Sequence, residues 1–212
     1  MARSERRRRV VRPPETRRQE LLDAGLRVFR ERGVKRATVD DITAAADVAK
    51  GTFYLYFDSK DRLFEALRDR FAIGLLAATE AALEKTPAGD WNARVEAIVA
   101  TAVDYSAARR DELALVFSGH PPETDGSVAS AERRFVTLLV ETVRDGTEAG
   151  ALAVADPEIT AALIFHALHG GLLEQAHRGG APARLERLRI AMLELTRRVV
   201  SASLDNVTDR QS

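Results

Sequence analysis

Between Thr38 and Lys60 the chain reads TVDDITAAADVAKGTFYLYFDSK, and this stretch limits the choice of fold more than any other. Thr38 followed by Asp40 and Asp41 gives a hydroxyl cap and early acidic residues, which suit the start of a short helix with Val39, Ile42 and Ala45 facing inward. Asp47 and Val48 interrupt that pattern. A second short helix is expected to begin near Ala49, with Phe53 and Phe57 four residues apart on one buried face. Lys50, Gly51 and Tyr54 then fall together on the opposite face. A cation, a bare backbone and a phenol at a helix start suit close approach to a duplex. Lys50 can meet a phosphate or a guanine edge, Gly51 removes a steric barrier, and Tyr54 and Tyr56 can donate to phosphates. Asp58-Ser59-Lys60-Asp61 reads as the cap of the next helix, putting the Lys60 amine and free backbone amides where an anion would bind. Aromatic residues in short helices are usually core, and Phe53 and Phe57 are assigned there. The competing reading of Lys50, Tyr54 and Tyr56 is ordinary surface.

The full string decides between these readings. Gly33, Thr38, Ile42, Val48, Lys50-Gly51-Thr52-Phe53-Tyr54, Tyr56-Phe57, Ser59-Lys60 and Leu63 together resemble the DNA-binding domain of the tetracycline-repressor (TetR) family of transcriptional regulators. The spacing is intact across roughly residues 15 to 70. The resemblance implies a helix-turn-helix whose DNA contacts fall on Thr38, Lys50, Gly51, Thr52, Tyr54, Tyr56 and Lys60. Two positions depart from the family pattern. Asp47 stands where Gly is common, so the turn is expected to hold an Asp in a left-handed conformation, which Asp tolerates. Ala49 stands where Ser is common, which removes a phosphate donor and leaves a methyl group that can touch thymine.

With 212 residues, 45% of them hydrophobic, the chain can bury a small domain and a larger one. It has no cysteine, which excludes disulfides, thiolate metal sites and cysteine nucleophiles. No apolar run is long enough to span a bilayer and no signal-like segment follows the N-terminus, so no membrane partner and a cytoplasmic location are expected. The net charge of zero conceals an asymmetry. Residues 1–70 carry 18 Lys and Arg against 12 Asp and Glu, a net +6, and the remainder carries 14 against 20, a net −6. A basic head on an acidic body suits a protein that offers one end to DNA. Residues 1–14, rich in arginine and closed by Pro13-Pro14, are expected to form a disordered basic arm. It is either a solvated tail or a strand along phosphates and the minor groove.

Helical periodicity predicts an all-α fold. A three-helix helix-turn-helix head at residues 15–60 precedes a larger helical ligand-binding and dimerisation domain at 61–204, and 205–212 form a tail. Helix 1 runs from about Glu15 to Arg32, with Leu21, Leu22, Gly25, Val28 and Phe29 buried and Gly33 as terminator. A long helix from Ser59 ends before Pro87-Ala88-Gly89, and its length suits carrying movement between head and body. Helices follow from Trp91, Asp111, about Val128, Asp156-Pro157 and about Pro182, with a loop at GHPPETDGS before Val128. Leu185, Leu188, Met192, Leu195 and Val199 repeat at steps of 3, 4, 3 and 4, a pattern of packing along the whole last helix.

The helix from Asp156 carries two apolar faces, Ile159-Leu163-His166-Gly170-Leu173 and Ile164-Leu168-Leu172 with Gly171. One can face its own body and the other a partner. In the family resembled, the last two helices form a four-helix dimer interface, which implies contacts at Gly170, Gly171, Leu172, Leu188, Met192 and Leu195; intrachain packing alone is the rival reading. The resemblance also implies a ligand pocket, with Trp91, Tyr105, Phe117, Phe135, Phe165, His166 and His169 as candidate lining and His120 as a further bulky, polar-tipped residue. His166 and His169 can share a face, but no carboxylate at a suitable spacing joins them, so no metal and no cofactor are expected. No Gly-rich phosphate loop, Gly-x-Ser-x-Gly elbow or His-Glu-x-x-His occurs, which argues against an enzyme. The expected function is a homodimeric, sequence-specific regulator, a repressor released from a pseudo-palindromic operator by a small molecule. A constitutive or architectural DNA-binding protein is the alternative.

Overall fold

The computed structural model describes residues 13–116 and 127–201. Most of the arginine arm, the loop containing His120, Phe117 and the 205–212 tail lie outside the described residues. Among the described residues the fold is all-α: α1 Pro14–Arg32, α2 Val39–Ala45, α3 Lys50–Tyr54, α4 Lys60–Lys85, α5 Trp91–Ala108, α6 Arg110–Val116, α7 Ser127–Glu148, α8 Pro157–His177 and α9 Pro182–Ser201. Two compact units divide between Ala66 and Leu67, inside α4.

In the first unit, Pro14 begins α1 where the missing N–H costs no helical bond. Gly33 ends it at φ 76°, its N–H donating to Phe29 O at 2.8 Å. Leu21, Leu22, Val28 and Phe29 are buried, and Phe64 meets Phe29 edge-on at 5.9 Å. A side chain at Gly25 would overlap the Leu63 methyls, so this glycine lets α1 and the start of α4 touch. α2 opens on a reciprocal capping box: Thr38 Oγ1 accepts from Asp41 N at 3.2 Å, and Thr38 N donates to Asp41 Oδ2 at 3.0 Å. Ile42 is buried, but Ala45, expected to face inward, is exposed. Thr43 takes the buried place, and its hydroxyl donates back to Val39 O at 3.0 Å, so burying it strands no polar group. Asp47 sits at φ 51°, the left-handed turn residue expected from its departure from glycine.

The second unit has a continuous core. Val95, Ile98, Val99, Ala102 and Val103 of α5 are buried among Leu113, Phe135, Leu139, Val143, Ile164, Leu168 and Leu185. Side-chain carboxylates of Asp90 and Asp156 cap α5 and α8, accepting from Ala93 N and Ile159 N at 3.0 Å each. Gly179 at φ 81° and Gly180 at φ 58° make the turn into α9. Arg197 grips Glu96 with two bonds of 2.8 and 2.7 Å, and Arg189 pairs with Asp104 at 2.9 Å, which sets α9 antiparallel to α5.

This packing corrects the reading of α8 and α9. The buried stripe of α9 is Leu185, Met192, Thr196 and Val200, while Leu195 is 42% exposed. The buried positions 192, 196 and 200 advance by four residues, about 40° round the helix at each step in one direction, and Leu195, about 60° back from Met192 in the other direction, is left on the open side. On α8, Ile164, Leu168 and Leu172 face the core, whereas Ile159, Leu163, His166 and Gly170 are exposed. Leu172 and Met192, expected at a partner's surface, lie in the core of their own chain. A side chain at Gly171 would come within 2.6 Å of Leu188, so this glycine and Leu188 serve the α8–α9 contact within one chain. Gly170 has open space over it.

Candidate nucleic-acid interface

α3 has five residues, too few to be stable alone. It is held from beneath by Phe53, fully buried, and by Phe57, whose ring lies 5.8 Å from that of Phe53. Arg18 of α1 stacks on the Phe57 ring at 5.3 Å, and Arg27 donates to Ala45 O at 3.1 Å, so α1 braces both short helices. With its apolar side pinned, α3 presents Lys50, Gly51 and Tyr54 to solvent, and Thr52 and Tyr56 are half-buried beside them. Tyr54 is 51% exposed and no atom approaches Gly51, so nothing in the unit obstructs a duplex there. Leu55, which the sequence reading passed over, is 79% exposed next to Tyr54 and can offer an apolar contact to a thymine methyl.

Two expected contacts have other work. The Lys60 amine is half-buried and donates to three carbonyls, Val34 at 2.8 Å, Lys35 at 3.1 Å and Ala37 at 3.0 Å. It ties down the α1–α2 connection and has no donor left for a phosphate. The Thr38 hydroxyl is likewise spent on Asp41, donating to its Oδ2 at 2.8 Å. Hydrogen bonds from the Thr38 hydroxyl and amide hold the Asp41 carboxyl below its ordinary range, and Arg32, 2.7 Å away, adds to this. Lys60→Met is therefore expected to destabilise the first unit by about 1–3 kcal/mol for a lost set of carbonyl partners, read as a lower thermal midpoint. The salt dependence of DNA binding by the folded protein should not change; a slope flatter by about one unit would instead make Lys60 a phosphate contact.

Lys50 is also engaged in the free protein. Its amine lies 2.8 Å from Asp40 Oδ1 and 3.1 Å from Oδ2, and that carboxylate raises the Lys50 pKa above its ordinary value. The two residues are ten apart across a turn, a pairing no helical spacing rule reveals.

The candidate pocket residues sit in the second unit. Trp91 packs on α7 beside Gly146, with the Arg94 guanidinium 5.6 Å over its ring. Tyr105 occupies the space a side chain at Gly74 would need, meets Phe71 edge-on at 5.3 Å and carries Arg109 at 3.9 Å; burial raises its phenol above the ordinary value. Phe135 and Phe165 are 6.3 Å apart, and Phe165 contacts His166 and His169 at 5.5 and 5.7 Å. α7 and α8 thus bring Phe135, Phe165 and His169 together, with Tyr105 on a separate contact between α4 and α5, and His166 exposed. Two grooves lie elsewhere. One of about 630 Å³ between α8 and α9 is lined by Gln175, Arg178, Leu188 and Ile190, and one of about 790 Å³ by Leu83, Arg94, Arg134 and Leu138. No group of three or more potential metal ligands gathers among the described residues.

Residues 21–67 match the bacterial regulatory proteins of the tetR family, and residues 88–171 match the tetracyclin repressor-like C-terminal domain. The chain belongs to the TetR family of transcriptional regulators. Against the HTH-type transcriptional repressor SCO4008 of Streptomyces coelicolor it is 28% identical over 198 residues, covering 90% of this chain and 98% of that one. Similarity to the HTH-type transcriptional repressor DhaR of Mycobacterium sp. strain GP1 is higher, 42%, but confined to 67 residues, 32% of this chain and 34% of that protein. Among solved structures, the regulator FadR from Bacillus subtilis in complex with stearoyl-CoA superposes with a TM-score of 0.72 at 18% identity, over 84% of this chain and 96% of FadR. The TetR chain is thus a DNA-binding transcriptional regulator with a helix-turn-helix at its start and a helical domain after it. No described helix is long and apolar enough to cross a membrane.

Proposed function

We propose that this TetR-family protein is a homodimeric repressor that reads a pseudo-palindromic operator with Lys50, Gly51, Thr52, Tyr54 and Tyr56, and that a small molecule bound in the helical domain releases it. The observation that carries the reading is the division of α3: Phe53 is fully buried while Lys50, Gly51 and Tyr54 on the other side remain open to a duplex. A second feature supports the dimer. Apart from Ile73, the large hydrophobic residues exposed among the described residues gather in two places: Tyr54 and Leu55 on the reading surface, and Ile159, Leu163, Ile190 and Leu195 on α8 and α9. The second set, with Gly170 open beside it, suits a matching surface on another copy, and a two-fold pair of heads suits two half-sites. Leu195 and Gly170 remain in the proposed interface; Leu172, Met192, Gly171 and Leu188 do not. The effector site is proposed among Phe135, Phe165 and His169, where aromatic bulk and a polar tip come together.

A protection footprint on DNA flanking the protein's own gene tests the reading. Wild type should protect a near-palindrome with half-sites about 34–36 Å apart or a multiple. Lys50→Ala and Tyr54→Phe should weaken that footprint while leaving the oligomeric state unchanged; unchanged protection in both removes α3 from the interface. Stearoyl-CoA, the ligand in the FadR structure, is the first effector to titrate. If it induces release, saturating operator must weaken its binding by the same factor, about 5- to 150-fold for ordinary couplings.

A further inference from the structure

We propose that α8 crosses the α8 of a second copy at Gly170, antiparallel, with His166 of each chain set against Glu174 of the other. This rests on the dimer reading and deepens it by fixing where the two-fold axis passes. Ile159, Leu163, His166, Gly170, Glu174 and His177 are all exposed, and they follow one another along α8 at steps of 4, 3, 4, 4 and 3 residues. From Ile159 to His177 is 18 residues, about five turns, so the stripe runs straight along the helix instead of winding round it. Gly170 is the member of the stripe that the single chain does not explain. Glycine in mid-helix lowers stability relative to alanine. Gly171 has a reason inside the chain, since a side chain there would come within 2.6 Å of Leu188. Nothing lies within 4 Å of the place a side chain would take at Gly170. Bare backbone on an open face suits close approach by another backbone.

The charges along α8 identify that neighbour as a second copy, turned end for end. A two-fold can pair the helices parallel or antiparallel. The parallel pair sets His166 on His166 and Glu174 on Glu174. The antiparallel pair about Gly170 sets each imidazole on the other chain's carboxylate, because His166 and Glu174 lie four residues to either side of the glycine. Arg178 already holds Glu174 within its own chain, and a carboxylate has acceptor sites for both donors. The ends agree, since α8 runs from the acidic Asp156 and Glu158 to His177 and Arg178. Residues 166, 170 and 174 also form one ridge of the helix surface, and laying that ridge along its copy sets the two axes about 50° apart. With no side chain at the middle of the ridge, the axes can approach closer than the usual separation of roughly 8–10 Å.

The chain has no cysteine, so introduced cysteines report the crossing without background. Under mild oxidation of the full chain, Gly170→Cys should run mainly as a disulfide-linked dimer on a non-reducing gel. A disulfide needs Cα atoms roughly 4.4–6.8 Å apart, and a residue comes that near its own copy only at the two-fold axis. Leu163→Cys and His177→Cys, each about two turns away, should couple at least about tenfold more slowly. An equal mixture of His166→Cys and Glu174→Cys proteins, which leaves Gly170 intact, should couple about tenfold faster than either protein alone. Gly170→Leu should raise the dimer dissociation constant about tenfold or more, with helical content unchanged. If the chain sediments as a dimer but Leu163→Cys couples faster than Gly170→Cys, or the mixture shows no advantage, the crossing at Gly170 is overturned and the dimer stands. Wild type sedimenting as a monomer at micromolar concentration would remove the dimer itself, and the crossing with it.

Discussion

Phe53→Ala is expected to abolish the footprint by unfolding the reading surface. Phe53 is fully buried and packs against Tyr54 and Phe57 at ring separations of 5.5 and 5.8 Å. Truncating a buried phenylalanine costs about 3–5 kcal/mol, against a total domain stability of about 5–15 kcal/mol. The loss falls on a helix of five residues that has no stability of its own. The first unit is small, and Leu21, Leu22, Phe29, Ile42, Phe57 and Leu63 complete the same core. DNA affinity should drop at least 100-fold, and a low-temperature unfolding step should separate from that of the helical domain. Phe53→Leu, which keeps most of the volume, should recover part of both. A Phe53→Ala protein with the wild-type unfolding profile and footprint would show that α3 is positioned by something other than its aromatic side.

Leu163→Asp is expected to divide the proposed dimer without unfolding the chain. Leu163 is 62% exposed on α8, so a charge there meets water in the monomer and should change its stability by no more than about 0.5 kcal/mol. In a two-fold interface the same change places two carboxylates against apolar partners, each stripped of water. Sedimentation at micromolar concentration should show monomer. Operator affinity should fall by roughly 10²- to 10⁴-fold, because the second half-site is no longer bound intramolecularly. Leu172→Asp, nine residues along the same helix, should instead unfold the domain, since Leu172 belongs to its core. A Leu163→Asp protein that remains dimeric would move the interface off the exposed face of α8.

Much of this protein is legible in its amino-acid order because the relevant physics is local. Proline at the first position of α1 and α8, aspartate before α5 and α8, Thr38 with Asp41 at α2, and the glycines after α1 and α8 all act within one turn. The three-to-four-residue recurrence of apolar side chains marks the long helices, and Phe53 and Phe57 mark the buried side of the reading helix. Asp47 could be expected in the left-handed region because only a few residue types tolerate it.

Other assignments depended on groups distant in sequence. Lys60 reads as a free cation at a helix start, yet it spends its charge on carbonyls 23 to 26 residues earlier. Lys50 reads as unpaired until the turn brings Asp40 beside it. The apolar positions of α8 all look alike in sequence, because periodicity gives the angle between faces and not which face meets the core. Which one is covered depends on where α7 and α9 pack, and that packing sends Leu172 and Met192 inward and leaves Leu163 and Leu195 in solvent. Sequence therefore determined the helices, their ends and the family of the reading surface, since caps, turns and periodicity are settled by neighbours along the chain. Tertiary structure alone decided which charges are free and which apolar face is open, because both are set by partners that the chain brings together only on folding.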